Sequence, residues 1–205
     1  AAHAPPTPPR REPHGAPRAA DGGAPATPAQ SIESARLTLV PATVAHVRAE
    51  LAGAEQFASL LGAGVPASWP PGEYDRAAQL LVLRWLEEAG PAGVGWFGWY
   101  AVRRADPEAP ATAVGSGGYF GPPTARGVVE IGYSMCPEWR GRGYATEMAL
   151  ALARRAAAQP GVASIVARTT VGNFASIAVL ERSGFARAES GPEPGTLRFE
   201  WAFPG

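Results

Sequence analysis

The sequence contains no lysine and only one cysteine, and its formal net charge is zero. All 18 strongly cationic side chains among the 205 residues are therefore arginines, and 18 acids balance them. A chain without a basic excess lacks the field that non-specific nucleic-acid binding needs, so we expect no nucleic-acid partner. A single cysteine excludes an internal disulfide framework and favours a reducing compartment, so we expect a cytoplasmic location.

Long apolar runs are also missing, although hydrophobic residues make up 46% of the chain. The longest run falls far short of the roughly 20 residues that span a bilayer, so we expect no membrane partner. The histidines, cysteine and acids do not follow the spacing of a metal site, so we expect no metal cofactor. The apolar content is sufficient for one ordinary core.

Residues 1–30 differ in composition from the rest of the chain. They hold 8 of the 22 prolines and only two acids, Glu12 and Asp21, and they lack large apolar residues. Such a segment cannot bury enough apolar surface to offset its chain entropy, and it lacks the apolar stretch of a signal peptide. We expect a disordered Pro/Ala-rich tail over residues 1–30 and a single folded domain over residues 31–205.

Hydrophobic periodicity and cap residues predict the elements of this domain. Strands are predicted at 35–40, 96–103, 111–120, 128–135, 164–169 and 197–202, with a short strand beginning at Phe185. Helices are predicted at 43–51, 54–61, 75–89, 143–159 and 173–183, with a loop at 65–74. This order predicts an α+β fold in which helices flank a mixed, mostly antiparallel twisted sheet with one parallel pair around the long fourth helix.

The most informative segment is 130–146, which reads EIGYSMCPEWRGRGYAT. The pattern is a strand, a tight turn at 140–143 and the start of a helix. Glycines at 141 and 143 let a ligand approach the backbone closely, and the free N–H groups of a helix start point toward one spot with the positive end of the helix dipole behind them. The segment therefore predicts an anion site that suits a pyrophosphate.

These residues resemble the GNAT superfamily of acyl-CoA-dependent N-acetyltransferases. Arg140, Gly143 and Ala145 meet the family pattern of Arg or Gln, two residues, Gly, one residue, then Gly or Ala. A second segment at 173–185, NFASIAVLERSGF, resembles the branch that acetylates ribosomal-protein N-terminal alanine or serine. The resemblance extends over about 36–202 and implies the GNAT fold, with acetyl-CoA as co-substrate.

The resemblance also implies the cofactor-binding residues. Backbone amides of the turn and helix start would hold the CoA pyrophosphate, through Arg140, Gly141, Arg142, Gly143, Tyr144, Ala145 and Thr146. The pantetheine arm would pair with the end of the preceding strand, at Met135 and Cys136, and would accept a hydrogen bond from Asn173. A residue such as Asn173 is also a good helix cap, and the two roles are compatible.

Two residues are candidates for catalysis. Glu130 is either the general base for the acceptor amine or a solvated acid on a half-exposed strand. No cation adjoins it in sequence, so we expect no structural ion pair, and the small neighbours Gly132 and Ser134 leave room for a substrate. Ser176 is either a first-turn helix serine or a donor to the leaving thiolate. Leu180 occupies the position of the tyrosine that many relatives use as acid.

Three other features receive plainer interpretations. Cys136 is not expected to be a nucleophile because the family transfers the acetyl group directly, and the domain's one histidine, His46, is expected on the helix surface. Gly93, Gly95 and Gly98 match GxGxxG, but a strand is predicted after them where a dinucleotide site needs a helix. Trp69 either packs in its loop or lines the acceptor side.

The sequence therefore predicts an N-acetyltransferase that moves an acetyl group from acetyl-CoA directly to a primary amine, in the first instance a protein N-terminal α-amine. A small-molecule amine, such as a drug or metabolite, remains open as the acceptor, and so does a non-catalytic acyl-CoA-binding sensor. The protein is expected to be a monomer or a homodimer.

Removal of residues 1–30 should leave folding and CoA binding intact, because this segment supplies no core residue. The test is a chain that begins at Ser31, whose melting temperature is compared with and without CoA. A drop of more than a few degrees relative to the full chain would show that the segment docks on the domain.

Overall fold

The computed structural model describes residues 30–190 and 194–203, so nearly all of the predicted tail lies outside the described residues. The described strands are β1 (Ile32–Glu33), β2 (Leu37–Pro41), β3 (Gly98–Arg103), β4 (Thr112–Tyr119), β5 (Val128–Met135), β6 (Ser164–Thr170), β7 (Phe185–Ser190) and β8 (Thr196–Trp201). The helices are α1 (Val44–Ala52), α2 (Ala54–Leu61), α3 (Arg76–Ala89), α4 (Tyr144–Ala157) and α5 (Phe174–Arg182). Short 3-10 turns lie at Gly90–Gly93 and Pro137–Trp139.

The predicted elements are confirmed, with small shifts at their ends. Helix α2 and strand β5 have the predicted bounds, and the helix predicted over 143–159 spans Tyr144–Ala157. Thr43 and Asp75 cap α1 and α3 with their side chains, as expected from their residue types. The strand β1 was not predicted, because two residues are too few for a periodic signal. Gly98 begins a strand, as predicted for the GxGxxG match.

The eight strands form one sheet in the order β1-β2-β3-β4-β5-β6-β8-β7. The neighbours pair antiparallel except for β5 and β6, which are parallel and are joined through α4. This arrangement confirms the predicted α+β architecture in a single domain. No helix within the described ranges is long and apolar enough to cross a membrane.

The two faces of the sheet carry different helices. The larger core lies between the sheet and α4, where the small and medium residues of one helix stripe, such as Met148, Ala149 and Leu152, are fully buried. A second core lies under α1, α2 and α3 on the other face and contains Val47, Phe57 and Leu86. Helix α4 starts shortly after the end of β5. The second core includes sheet residues from β2, β3 and their flanks, so helices α1–α3 cover only part of the opposite face.

Candidate active site

The site lies where the parallel pair β5 and β6 stops pairing. The register of this pair ends at Ile131 opposite Ala167. Strand β5 nevertheless continues to Met135 against β4, and β6 continues to Thr170 against β8. A gap therefore opens between the two strands beyond Ile131, and each side of the gap is a sheet edge with unpaired backbone groups.

The alternation of the antiparallel ladder decides which backbone groups face this gap. The Cys136 N–H donates to β4 over 3.0 Å, and the Glu130 carbonyl accepts from the residue after β4 at 3.1 Å. Even-numbered residues of β5 thus face β4, so the backbone groups of Tyr133 and Met135 face the gap. The Cys136 carbonyl also accepts the Trp139 N–H at 2.9 Å. Of the two predicted pantetheine-binding residues, Met135 faces the gap, whereas both backbone groups of Cys136 are already paired.

The turn between β5 and α4 leaves a row of backbone donors open. Gly141 and Gly143 have φ angles of +71° and +82°, a left-handed conformation that glycine adopts without strain. No side chain caps α4, and none of the N–H groups from Gly141 to Thr146 donates to another described residue. Open N–H groups at a helix start are what an anion site needs, and anion binding here stays a prediction.

Arg36 braces the turn from the neighbouring strand edge. Its guanidinium donates to the Arg142 carbonyl and to the Glu147 carboxylate, each over 2.9 Å, and lies 4.4 Å from the centre of the Tyr144 ring. Desolvation would raise the pKa of Glu147, but hydrogen bonds from Arg36 and a neighbouring serine outweigh it and lower this pKa. Glu147 therefore stays ionised and holds Arg36 in place at the turn.

The two arginine side chains of the predicted turn have different surroundings in the structure. Arg140 supports the end of β5, because its side-chain Nε donates to the Met135 carbonyl at 3.1 Å and its N–H closes the preceding turn. The Arg142 guanidinium is exposed and lies 5.1 Å from the centre of the Trp139 ring. Together with Arg36, these side chains add positive potential to the helix dipole, so the turn fits a pyrophosphate.

The prediction that Glu130 has no ion-pair partner was wrong. Its carboxylate lies 3.3 Å from the Arg168 guanidinium, and both side chains are largely buried. The register pairs Glu130 with Val166, so Arg168, two residues along β6, lies on the same face of the sheet. The partner comes from an adjacent strand, and neighbours in the linear sequence do not reveal it.

The space predicted beside Gly132 and Ser134 is also partly occupied. A Cβ at Gly132 would lie 3.2 Å from the Phe120 ring, and a Cβ at Gly72 would lie 2.6 Å from the Ser134 Oγ. The small residues of β5 therefore accommodate an aromatic ring and a loop. Phe120 is itself 52% exposed, so its ring borders the open face that carries Glu130.

On the opposite face, the start of α5 meets the part of β5 that borders the gap. Asn173 accepts the Ser176 N–H at 3.1 Å, so it caps the helix. The Ser176 hydroxyl lies 3.2 Å from the hydroxyl of Tyr133, which also lies 3.3 Å from the Ser176 carbonyl. Burial raises the pKa of Tyr133 to about 12, so its hydroxyl stays protonated and can donate.

Tyr133 is a functional candidate that sequence reasoning missed. The alternation of β5 places it with Val129 and Ile131 on the core face, where it reads as an apolar residue. The hydroxyl of a buried tyrosine usually has a hydrogen-bond partner, and this rule could have identified Tyr133 as a polar group in the core. The position of the partner, Ser176, depends on how α5 packs on the sheet.

Two side chains that resemble catalytic groups are not arranged for nucleophilic catalysis. Cys136 is fully buried, and desolvation raises the pKa of its thiol, so the thiolate is disfavoured. His46 is half-buried rather than on the surface as predicted, with Nδ1 2.8 Å from the Thr43 hydroxyl and its ring edge on Tyr100. Its pKa is lowered by burial.

Comparisons with known proteins identify the family and the fold. The family profile described as "Acetyltransferase (GNAT) domain" matches residues 36–186. The Bacillus subtilis (strain 168) protein described as "Uncharacterized N-acetyltransferase YjdG" is 27% identical over 154 residues, which are 75% of this chain and 88% of that protein.

Solved structures share the fold. RimL, a ribosomal L7/L12 α-N-protein acetyltransferase in complex with coenzyme A, is 18% identical with a TM-score of 0.56, over 83% of this chain and 97% of that chain. The microcin C7 self-immunity acetyltransferase MccE, in complex with acetyl-CoA and AMP, is 13% identical with a TM-score of 0.53, over 82% and 93% of the two chains. Since the family profile covers most of the described domain, this chain belongs to the GNAT family of acyl-CoA-dependent acetyltransferases.

Proposed function

We propose that this protein transfers the acetyl group of acetyl-CoA directly to a primary amine, and that the amine is the α-amine of a protein N-terminus. The observation that supports this function best is the gap between β5 and β6 with an open helix start beside it. The gap joins the face that carries Glu130 to the face that carries Ser176. A cytoplasmic location is part of the proposal, supported by the single cysteine.

The turn and the strand edge would hold the co-substrate. The N–H groups of 141–146 would bind the pyrophosphate, with Arg36 and Arg142 nearby to balance its charge. The Met135 N–H and the side-chain amide of Asn173 would bind the pantetheine arm, since the Met135 carbonyl already accepts from Arg140. These contacts bring the thioester and the amine together in one complex, which is the main source of rate in a direct transfer.

Glu130 would take the proton from the acceptor amine. Only the neutral amine is a nucleophile, and a carboxylate within reach, or one water away, removes the proton as the bond forms. The ion pair with Arg168 orients the carboxylate on the face beside Phe120. Arg168 would therefore orient the base and would not take the proton itself.

Ser176 and Tyr133 would stabilise the leaving thiolate. The ordinary pKa of a thiol is about 8.5, whereas that of Tyr133 is about 12. Proton transfer from the tyrosine to the thiolate is therefore uphill, and the two hydroxyls are better suited to donate hydrogen bonds. Tyr133 has one hydroxyl hydrogen, and it would donate this hydrogen to the Ser176 Oγ rather than to the Ser176 carbonyl. The serine hydroxyl would then be free to donate to sulfur.

The choice of acceptor has a chemical and a structural argument. An α-amine, with a pKa near 7.7–8.0, loses its proton more easily than a lysine amine near 10.4. The face beside Glu130 continues over β6 and β8 as partly exposed charged side chains, Arg198 and Glu200 among them. An open polar face of this kind accommodates the first residues of a polypeptide. The structural relative MccE supports a small-molecule amine as the second candidate.

Thiol release from acetyl-CoA distinguishes these functions. The acceptors are a peptide with a free N-terminal alanine, one with a free N-terminal serine, the same peptides with blocked N-termini, and a polyamine. Release with the free peptides alone supports the proposal, and release with the polyamine alone supports the second candidate. CoA binding without release for any amine would indicate the sensor.

Gly143→Val should abolish the rise in melting temperature that CoA gives to the wild type. A branched side chain at the start of α4 blocks the approach of the anion, and ligand binding to the native state is the source of the shift. The control is Gly161→Val, which has a similar φ of +80° and open space around it. A normal CoA shift in Gly143→Val would contradict the assignment of the turn.

Glu130→Gln should preserve the fold and CoA affinity while lowering kcat/KM by roughly 10²–10⁴-fold. The loss should shrink at high pH, where the free amine is already neutral. Arg168→Gln removes the same ion pair but keeps the carboxylate, so its loss should stay below about tenfold. Equal losses in the two variants would show that the ion pair, and not a base, is what turnover requires.

Ser176→Ala and Tyr133→Phe should each lower kcat by about tenfold or more, with little change in the KM for the amine. Because the two hydroxyls act in one hydrogen-bond chain, the double variant should lose little more than the worse single variant. Rates of acetyl transfer at saturating acetyl-CoA measure both effects. Multiplicative losses in the double variant would separate Tyr133 from the thiolate.

A further inference from the structure

A buried carboxylate outside the site described above holds three hydrogen-bond donors. Glu50, near the end of α1, accepts from Trp69 Nε1 at 2.7 Å, from the Tyr100 hydroxyl at 2.9 Å and from the Tyr74 hydroxyl at 3.0 Å. Its side chain belongs to the second core, beneath the helices α1–α3. Besides these three close donors, the Gln79 side chain of α3 also hydrogen-bonds to this carboxyl. All four groups are neutral, and desolvation raises the pKa of the carboxyl nonetheless.

Such an arrangement is costly to build. Removing a carboxylate from water is unfavourable, and hydrogen bonds from neutral groups recover only part of that free energy. An apolar residue of similar size packs into a core without this penalty. The position of the three donors therefore indicates what the carboxylate contributes.

Two of the donors belong to the loop between α2 and α3, and one does not. Trp69 and Tyr74 lie in the loop segment Val65–Tyr74, whereas Tyr100 lies on β3. The Trp69 ring also packs on Phe57 of α2 at 5.4 Å between centroids. Glu50 thus attaches both halves of the loop to α1, from inside the core.

Next to and between these two attachments, at Ser68 and Gly72, the loop contacts the end of β5 and the turn that follows it. The Ser68 hydroxyl donates to the Glu138 carboxylate at 2.7 Å. A Cβ at Gly72 would lie 2.6 Å from the Ser134 Oγ and 3.3 Å from the Arg140 guanidinium. The backbone at Gly72 therefore lies directly on the face of β5 that also carries Glu130.

We propose that Glu50 is a positioning residue that fixes the Val65–Tyr74 loop as a wall of the acceptor-amine site, through Trp69 and Tyr74. The inference rests on the proposed function, since that function makes the Glu130 face of β5 the acceptor side. Glu50 itself does not touch the reacting atoms. Loss of its contacts with the loop lets the wall move away from Ser134 and weakens binding of the amine, while the turn at 141–146 keeps its hold on CoA.

Three variants that each remove one donor test the inference. Trp69→Phe and Tyr74→Phe should raise the KM for an N-terminal alanine or serine peptide by several-fold to about tenfold, with kcat and the CoA-dependent melting shift nearly unchanged. Gln79→Met removes a hydrogen bond to the same carboxylate from α3, outside the loop, so its KM should stay within about twofold. Equal changes in KM for Tyr74→Phe and Gln79→Met would overturn the inference.

Hydrogen exchange supplies a readout that does not depend on turnover. The Trp69 and Tyr74 amides donate within the loop, at 3.0 Å each, and report its order. Their protection should fall in Trp69→Phe, Tyr74→Phe and Glu50→Leu, should be higher in Glu50→Gln than in Glu50→Leu, and should persist in Gln79→Met. Unchanged protection of these amides in Glu50→Leu would overturn the role of Glu50 in holding the loop, even if no tested amine were acetylated. If protection changes as expected but the wild type acetylates none of the amines, the proposed function is rejected and the role of Glu50 in the loop stands.

A substitution at Gly72, between the two attached residues, displaces the loop directly. Gly72→Ala forces a Cβ against the Ser134 hydroxyl at a φ of +50°, so it should raise the amine KM as the donor variants do. Gly62→Ala is the matched control, since it also has a positive φ of +69° but open space around it. A KM increase in Gly62→Ala as large as in Gly72→Ala would assign the effect to backbone strain and overturn the role of the wall.

Discussion

The site depends on the end of the parallel pairing between β5 and β6, at Ile131 opposite Ala167. A parallel pair needs a crossover between its strands, and here that crossover is α4. The chain must turn sharply after β5 to begin α4, and the turn leaves its N–H groups beside the point where pairing stops. An unpaired strand edge and an uncapped helix start are each unfavourable in isolation. Together, under the proposed function, they would form a binding site for an extended ligand with an anionic end.

Close packing holds this arrangement in place. Glycines of β4 let large side chains approach, since a Cβ at Gly115 would lie within 3 Å of the Met135 side chain and one at Gly117 would lie 2.7 Å from Met148. Met148 lies on α4, so the packing of its side chain against Gly117 fixes the helix relative to the sheet. Because the interior is close-packed, the start of α4 cannot shift independently of the strand edge.

Much of this structure follows from local sequence patterns, and the exceptions have a common cause. Strand β5 and helix α2 were predicted to the residue because their apolar spacing and flanking glycines are local signals. The turn between β5 and α4 was predicted because its residues are contiguous. The pairs Glu130 with Arg168 and Tyr133 with Ser176, and the carboxylate of Glu50, join residues from different elements. Their contacts depend on strand register and helix packing, which a linear pattern does not encode.

The burial of the Cys136 thiol bears on whether an acyl-enzyme forms under the proposed function. Desolvation raises the pKa of its thiol, and a buried thiol of this kind is a poor nucleophile. An acyl-enzyme at Cys136 is therefore disfavoured, which supports a direct transfer in which the acetyl group would pass from sulfur to nitrogen while both substrates are bound. Such a transfer would require the gap between β5 and β6 to be open to both faces of the sheet. The amine would approach from the face of Glu130, and the thiolate would be stabilised from the face of Ser176.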